Sequence, residues 1–416
     1  MPSSVRYHPK QEVEQSVLDL ARERTAWCFD EFDHVAVSFS GGKDSTVVLN
    51  LALEESRRRG LRLRVIHYDE EAIPLQTEEY VRRVGLEDGV DLEWYCLPVK
   101  HRNACSRKEP FWWPWAPEVR DRWVRPLPPE AITELEGFPI DPPEARPTIP
   151  NNNGNLFHPR QGNCCLLMGI RADESLTRYR AVARADTKRA QPYVTPDYAT
   201  TSGRWTGQAH GGGFIWKAYP IYDWTTEDVW TAPATLGWDY NRAYDAMEMA
   251  GVPHRAQRCA PPFGEEPMLG LWVFAHAFPE VWDGMSRRVP GAATAARYSQ
   301  TELYGTAKVA EPRPGQTWEE RILEEVERYR PSEAKIVARS LRWAIGSHYK
   351  NTSDPILPDS PHPITGVCWR RLMGWAMKGN LKGRKVMPNT SDPETRARLK
   401  VRYDDELARL RAEGGI

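Results

Sequence analysis

The segment from His34 to Gly60 constrains this chain more than any other. His34-Val35-Ala36-Val37-Ser38-Phe39 is a short, β-branched apolar run, the pattern of a buried strand. Ser40-Gly41-Gly42-Lys43-Asp44-Ser45 interrupts it, and Thr46-Val47-Val48-Leu49-Asn50-Leu51-Ala52-Leu53 restarts it on the way to Arg57-Arg58-Arg59-Gly60. That is strand, loop, helix, with basic residues and a glycine where a helix C-terminus favours them. A Gly-Gly pair at such a junction lets backbone N–H groups point inward at an anion, and the helix N-terminus adds a favourable dipole. Lys43 supplies a compact positive charge. The hydroxyls of Ser38, Ser40, Ser45 and Thr46 are donors suited to phosphate oxygens. Asp44 is expected to cap the helix or to meet Mg²⁺, since a carboxylate beside phosphate otherwise costs energy. The Walker A loop is excluded, because it requires Gly-x-x-x-x-Gly-Lys-Ser/Thr and these two glycines are adjacent.

The flanks extend the pattern. A helix is predicted from about Gln11 to Phe29, a second strand over Leu61 to Tyr68, a helix over Gln76 to Val84, and a third strand over Leu92 to Leu97. The resulting βαβ unit should be parallel and right-handed. His67, Asp69 and Glu70 fall at the C-terminal edge of the second strand, where open parallel sheets bind ligands. Asp69 is the candidate ribose or metal contact, with a simple strand-end turn as the alternative. From about 107 to 155 periodicity stops and Pro, Trp, Asn and charged residues take over, which predicts a long insertion. Regularity returns with a strand over Cys164 to Ile170, a helix over Glu174 to Ala183, a strand over Phe214 to Ile221, and a helix opening at Thr226.

These elements predict a Rossmann-like, doubly wound parallel α/β sheet followed by a mostly helical C-terminal region. The expected domain limits are 1–225 for the nucleotide-binding domain with its insertion, 226–330 for a helical region, and 331–416 for a C-terminal helical region. Lysine plus arginine (56) balances aspartate plus glutamate (57), so bulk charge points to neither a nucleic-acid coat protein nor a membrane-surface protein. No apolar run approaches the roughly 20 residues of a membrane helix, and the polar N-terminus lacks a signal-peptide core. A cytoplasmic protein is expected. Seven cysteines without a Cys-x-x-Cys pair fit reduced thiols in a reducing compartment.

Ser38-Phe39-Ser40-Gly41-Gly42-Lys43-Asp44-Ser45 resembles the PP-loop of the adenine nucleotide α-hydrolase superfamily. Gly169-Ile170-Arg171-Ala172-Asp173-Glu174-Ser175-Leu176-Thr177-Arg178 is similar to the Gly-x-Arg-x-x-Glu/Gln-Ser-x-x-Arg segment of its phosphoadenosine phosphosulfate (PAPS) reductase-like branch. Tyr219 to Trp230 is similar to that branch's Pro-Ile-x-Asp-Trp-x-x-x-Asp-Val-Trp segment. The tryptophan-rich insertion, Gln257-Arg258 to Phe263-Gly264, and Val367 to Arg371 with Lys378-Gly379-Asn380 resemble the immunoglobulin-binding regulator A (IbrA-like) subgroup. The resemblance implies binding of ATP or a related nucleotide such as PAPS, with Mg²⁺. It implies that Gly169 to Arg178 faces the phosphate or sulfate end, with Lys43, Arg171 and Arg178 as catalytic candidates and Glu174 orienting an arginine. Helical spacing alone equally describes an exposed Glu174–Arg178 pair. Asp223, Trp224 and Asp228 read as site residues or as a helix N-cap beside a core tryptophan.

The cysteines narrow the chemistry that the resemblance implies. The Glu-Cys-Gly-Leu-His motif of the phosphosulfate reductases is absent, and Cys368, the last cysteine, sits in an apolar and basic setting. Cys164-Cys165 is similar to half of an iron–sulfur ligand set, but the later half offers only Cys259, which argues against a four-iron cluster. The reading that remains is cleavage of ATP between its α and β phosphates to adenylylate an unknown acceptor, for sulfur transfer or nucleic-acid modification. The rivals are phosphosulfate reduction and a nucleotide-binding regulator that acts through a partner protein. Lys108, Arg120, Arg122 and Arg125 interleave with Trp112, Trp113, Trp115 and Trp123. That pattern suits either a single nucleic-acid strand or packing of the insertion onto the domain.

Overall fold

Short apolar runs broken by glycine and polar loops generate the predicted βαβ series. The computed structural model describes residues 14–106, 108–174, 178–179, 206–208, 214–264, 270–298, 309, 311–378, 390 and 392–413. Helix α1 (Val17–Glu31) opens at Ser16, whose side chain accepts from the Asp19 amide; the predicted start near Gln11 lies outside the described residues. Then come β1 (His34–Ser38), α2 (Lys43–Arg58), β2 (Leu63–Tyr68), α3 (Leu75–Gly85) and β3 (Val90–Tyr95). The insertion contains the small ladder of β4 (His101–Arg102) with β5 (Phe111–Trp112), and α4 (Ile149–Leu156). β6 (Cys164–Met168), β7 (Thr206–Gln208) and β8 (Ile215–Ala218) complete the strands. The helix predicted over 174–183 falls largely outside the described residues. The strand predicted to reach Ile221 ends at Ala218.

The sheet order is β3-β2-β1-β6-β8-β7. Its first five strands are parallel and β7 is an antiparallel edge. Central β1 pairs with β2 and β6, Val37 standing beside Val65 and Leu167. The chain winds outward from β1 on both sides, which opens a crevice between β1 and β6 at the C-terminal ends of the strands.

Strand alternation divides the core in two. Val37, Val65 and Leu167 pack with Ala21 and Cys28 of α1, Val47 and Val48 of α2, and Tyr80 and Val81 of α3. Ala36, Ile66, Leu166 and Ile215 face the other way and are covered by Phe138, Leu156 and Phe157 from the insertion. The same alternation separates the adjacent cysteines: Cys164 belongs to the insertion-covered face and Cys165 to the helical face, both fully buried. Neighbours on opposite faces of a sheet do not present two thiolates to one cluster.

The tryptophan-rich segment is packed. Trp112 and Trp115 are buried; Trp112 meets Phe263 edge-on and Trp115 meets Trp123 the same way. A buried ionic network fixes it to the end of β2. Arg125 pairs with Asp69 and with Glu78. Glu71, held at φ +60°, accepts the amides of Trp115 and Val124 and pairs with Arg288.

Residues 1–105 with 111–300 form one compact unit, and 106–110 with 301–416 form a second. The predicted limits at 225 and 330 fall inside these units. In the first, α5 (Thr226–Leu236), α6 (Ala243–Met249), α7 (Leu271–Ala277), α8 (Pro279–Arg288) and α9 (Ala292–Tyr298) follow the sheet. The second contains α10 (Trp318–Glu327), α11 (Pro331–Asn351), α12 (Trp369–Lys378) and α13 (Pro393–Ala412). Its core includes Ile322, Val337, Leu341, Leu372 and Trp375. Among the described residues no helix is long and apolar enough to cross a membrane.

Candidate functional site

The loop after β1 turns into α2 through Gly41, whose φ of +74° is open to glycine and strained for other residues. Gly42 is the N-cap of α2 and makes no side-chain cap bond. The Ser45 hydroxyl donates to the Gly42 carbonyl at 2.9 Å, accepts from the Ser40 amide, and lies 3.1 Å from the Ser40 hydroxyl. Thr46 differs from its expected role. Its hydroxyl is buried, donating to Gly42 O and accepting from Tyr80, so it stiffens the helix start instead of facing a ligand.

Three residues far along the sequence hold this loop. Asn241 donates to the Gly41 carbonyl at 2.8 Å, the Tyr244 hydroxyl accepts the Lys43 amide at 2.8 Å, and the Gln257 carbonyl accepts Lys43 Nζ at 3.1 Å. Periodicity gives no sign of Asn241 or Tyr244 as site residues, because their roles exist only once α6 folds back on the loop. The 257–264 segment carried the subgroup resemblance, without a site role attached to it.

Ser38, Ser40, Gly42, Lys43, Asp44 and Ser45 from the first motif, and Gly169, Arg171, Glu174 and Arg178 from the second, line one cavity of about 490 Å³. Its size lies in the range of small-molecule sites. Gly169 permits the closeness of the two motifs. A β-carbon there would stand 2.6 Å from the Asp44 carbonyl carbon and 2.7 Å from the Ser45 nitrogen. Thr226, Tyr244, Arg258 and Cys259 also line the cavity.

The charges are more tightly committed than the sequence suggests. Asp44 makes no cap; its carboxylate pairs with Arg171 and stands 3.6 Å from Lys43 Nζ. Arg171, 2% exposed, also donates to the Trp224 carbonyl and reaches the Thr226 hydroxyl. It ties the two motifs together at the wall of the cavity. Arg178 pairs with Glu174, whose carboxylate also accepts the Arg171 amide. Exposed Arg258 adds a cation to the lining. Burial lowers the pKa of Lys43 from its ordinary value, against the raising effect of Asp44. Burial likewise pushes the Cys259 thiol up to about 11.

Asp69 does not reach this cavity. Its carboxylate is buried, engaged by Arg125, Trp94 Nε1, Trp115 Nε1 and the Glu71 amide, so it anchors the insertion. His67 is buried beside it, donating from Nδ1 to the Phe39 carbonyl. Asp223 pairs with buried Arg24, Trp224 is a core residue, and Asp228 closes a capping box with Thr225. All three are structural. Among the described residues no group of three His, Cys, Asp or Glu side chains is placed to hold a metal.

A second cavity of about 170 Å³ shares Ser38, Met168 and Ile170 with the first and continues between the sheet and α4. Ile66, Leu156 and Leu166 make it apolar, and Tyr68 and Lys217 enter it.

The sequence profile of the phosphoadenosine phosphosulfate reductase domain matches residues 34–135. An Escherichia coli (strain K12) protein described as uncharacterized protein YbdN is 30% identical over 423 residues, covering 96% of each chain. Among solved structures, the phosphate complex of phosphoadenylyl-sulfate reductase from Candida auris aligns at 13% identity and TM-score 0.26, over 57% of this chain and 93% of that one. FMN adenylyltransferase from Candida glabrata, with FMN and an ATP analogue, aligns at 12% identity and TM-score 0.27, over 53% of this chain and 58% of that one. The PP-loop motif, the parallel sheet that presents it and the near full-length relative converge: this chain belongs to the PP-loop, PAPS reductase-like family.

Proposed function

We propose that this protein binds ATP with its β and γ phosphates against Ser40 to Ser45 and cleaves it between the α and β phosphates, adenylylating an acceptor. The observation that carries this reading is the cavity in which a glycine loop, a helix N-terminus and Lys43 meet the Arg178 and Arg258 side chains. In the reaction an acceptor oxygen attacks the α-phosphorus, the α–β bridging bond breaks, and pyrophosphate leaves with the electron pair. The acceptor's proton passes to solvent. The protein's contribution is positioning and charge stabilisation. Mg²⁺ bound to the phosphates supplies charge neutralisation. The apolar cavity beside Tyr68 is the proposed seat of the base, with Lys217 the one cation among the described residues that line it. Asp44 and Arg171 keep the two motifs in register.

A thiol in the same cavity favours a second reading. Cys259 lines it, so reduction of a phosphosulfate is the competing chemistry: the thiolate attacks sulfur, the sulfur–oxygen bond to the nucleotide breaks, and a second thiol later releases sulfite. The high pKa of Cys259 opposes it. Cys368 is buried in the second unit with its thiol pushed up by burial. We also propose kinship with the IbrA-like subgroup, part of whose resemblance (379–380) lies outside the described residues; a nucleotide-binding regulator without turnover is the third reading.

One experiment separates the three. The protein is incubated with ATP, adenylylsulfate and PAPS in turn, with Mg²⁺ and a thiol reductant, and products are identified by mass. Pyrophosphate and AMP from ATP, lost in Lys43→Ala, support the proposal. Sulfite that disappears in Cys259→Ser replaces it with reductase chemistry. Tight ATP binding without products points to the regulator.

A further inference from the structure

The outward face of α11 carries chemistry that neither the fold nor the nucleotide cavity uses. Val337, Leu341, Ala344 and His348 bury one side of this helix. The opposite side exposes Lys335, Arg339, Arg342 and Lys350 together with Trp343 and Tyr349. Spacings of three, four and seven residues place these six side chains along one stripe. From Lys335 to Lys350 the stripe is about 22 Å long. The two aromatics are 59% and 53% exposed.

Among the described residues no carboxylate balances that charge. The sequence holds no Asp or Glu from 334 to 351. Among the described residues none of the four cations has a carboxylate partner within 4.0 Å. Other arginines of the same unit are paired, Arg328 with Glu325 and Arg370 with Glu311 and Asp359. Like charges three and four residues apart weaken a helix, and an exposed tryptophan forgoes burial. Both are costs without a return inside the fold, in a chain whose overall net charge is only −1.

We propose that this face of α11 binds single-stranded nucleic acid. The cations would hold successive phosphates, and Trp343 and Tyr349 would stack on unpaired bases. An anionic membrane surface fits less well: an interfacial helix needs a broad apolar face, and here the aromatics are interspersed with the cations. The nucleic-acid surface is thus on α11 and not on the tryptophan-rich insertion, where Trp112 and Trp115 are buried.

The test uses the full chain and fluorescence anisotropy with a labelled mixed-sequence 20-mer. Parallel arms use the same sequence as a duplex and vesicles of phosphatidylserine with phosphatidylcholine. Single-strand binding should weaken with salt at a log–log slope of about −3 for four cations at about −0.7 each. Arg339→Ala with Arg342→Ala should halve that slope. Trp343→Ala should weaken binding about fivefold or more and leave the slope unchanged. All three positions are exposed, and an unchanged circular dichroism spectrum confirms folding. Lys43→Ala should bind the strand normally, which separates this surface from the nucleotide site. No binding at low salt, equal or tighter binding to duplex or vesicles, or indifference to these substitutions would overturn the proposal.

Discussion

At single positions the site is governed by close approach and by desolvation. Gly169→Ala adds only a methyl group, yet its carbon would fall 2.6 Å from the Asp44 backbone. The loop and α2 must separate, loosening the Arg171–Asp44 pair. Overpacking of this kind costs about 1–3 kcal/mol, and the expected outcome is a melting temperature lower by several degrees together with weaker ATP binding by calorimetry. Lys43 gives a prediction in pH. Burial holds its pKa below the ordinary 10.5 in the free protein, and bound phosphates would raise it again. Between those two values nucleotide binding takes up a proton, so affinity should fall as pH rises, by at most about tenfold per unit. Titration in two buffers of different ionisation enthalpy measures that proton. The turn at Gly41 and Gly42 into the helix at Lys43 was legible in the sequence because its geometry is local. Asn241 and Tyr244 were not, since an asparagine about 200 residues from the carbonyl it holds has no local signature. The partners of Thr46 and Asp69 were hidden for the same reason: a hydroxyl or carboxylate near a strand end looks available until the groups that engage it within the fold are known.

At the scale of elements, the strands and helices around β1 follow from apolar runs and glycine breaks, and the sequence placed them to within a few residues. The cover of the second sheet face was not foreseeable. Phe138, Leu156 and Phe157 come from a stretch with no period, and they serve as a layer because the Arg125–Asp69 and Glu71–Arg288 pairs anchor the same insertion at the end of β2. That anchoring is testable. Arg125→Met leaves Asp69 buried with its ionic partner gone, and breaking a buried pair in this way costs about 3–5 kcal/mol. Adding Asp69→Asn to the same chain removes the stranded charge and should recover a large part of that loss. Denaturant unfolding of the wild type, both single variants and the double variant measures the coupling. Near-additive losses would mean that the network contributes little to anchoring the insertion.

Across the whole molecule, two buried histidines make stability depend on acidity in both units. His67 lies under the phosphate loop in the first; His348 lies in the second, donating from Nε2 to the Asp354 carbonyl and accepting at Nδ1 from Thr365. A carbonyl only accepts, so the His348 contacts select one neutral tautomer. Burial lowers both pKa values, and it is the first cause in each case. A base whose folded pKa lies below its unfolded value of about 6.5 binds fewer protons when folded. Its contribution is therefore fully present above about pH 6.5 and is lost as pH falls through that value toward the folded pKa. Carboxylates with lowered pKa, such as Asp69 and Glu118, act in the same direction but over the lower range below about pH 4. The unfolding free energy should thus begin to fall between pH 7 and 5, before those carboxylates titrate. His348→Gln preserves a donor and an acceptor and cannot become charged. In that variant the second unit should lose its share of the pH 7 to 5 slope while the first keeps its own. Hydrogen exchange resolved to peptides from each unit reads the two slopes separately. An unchanged slope at peptides from 331–351 would show that protonation of His348 is not coupled to unfolding there.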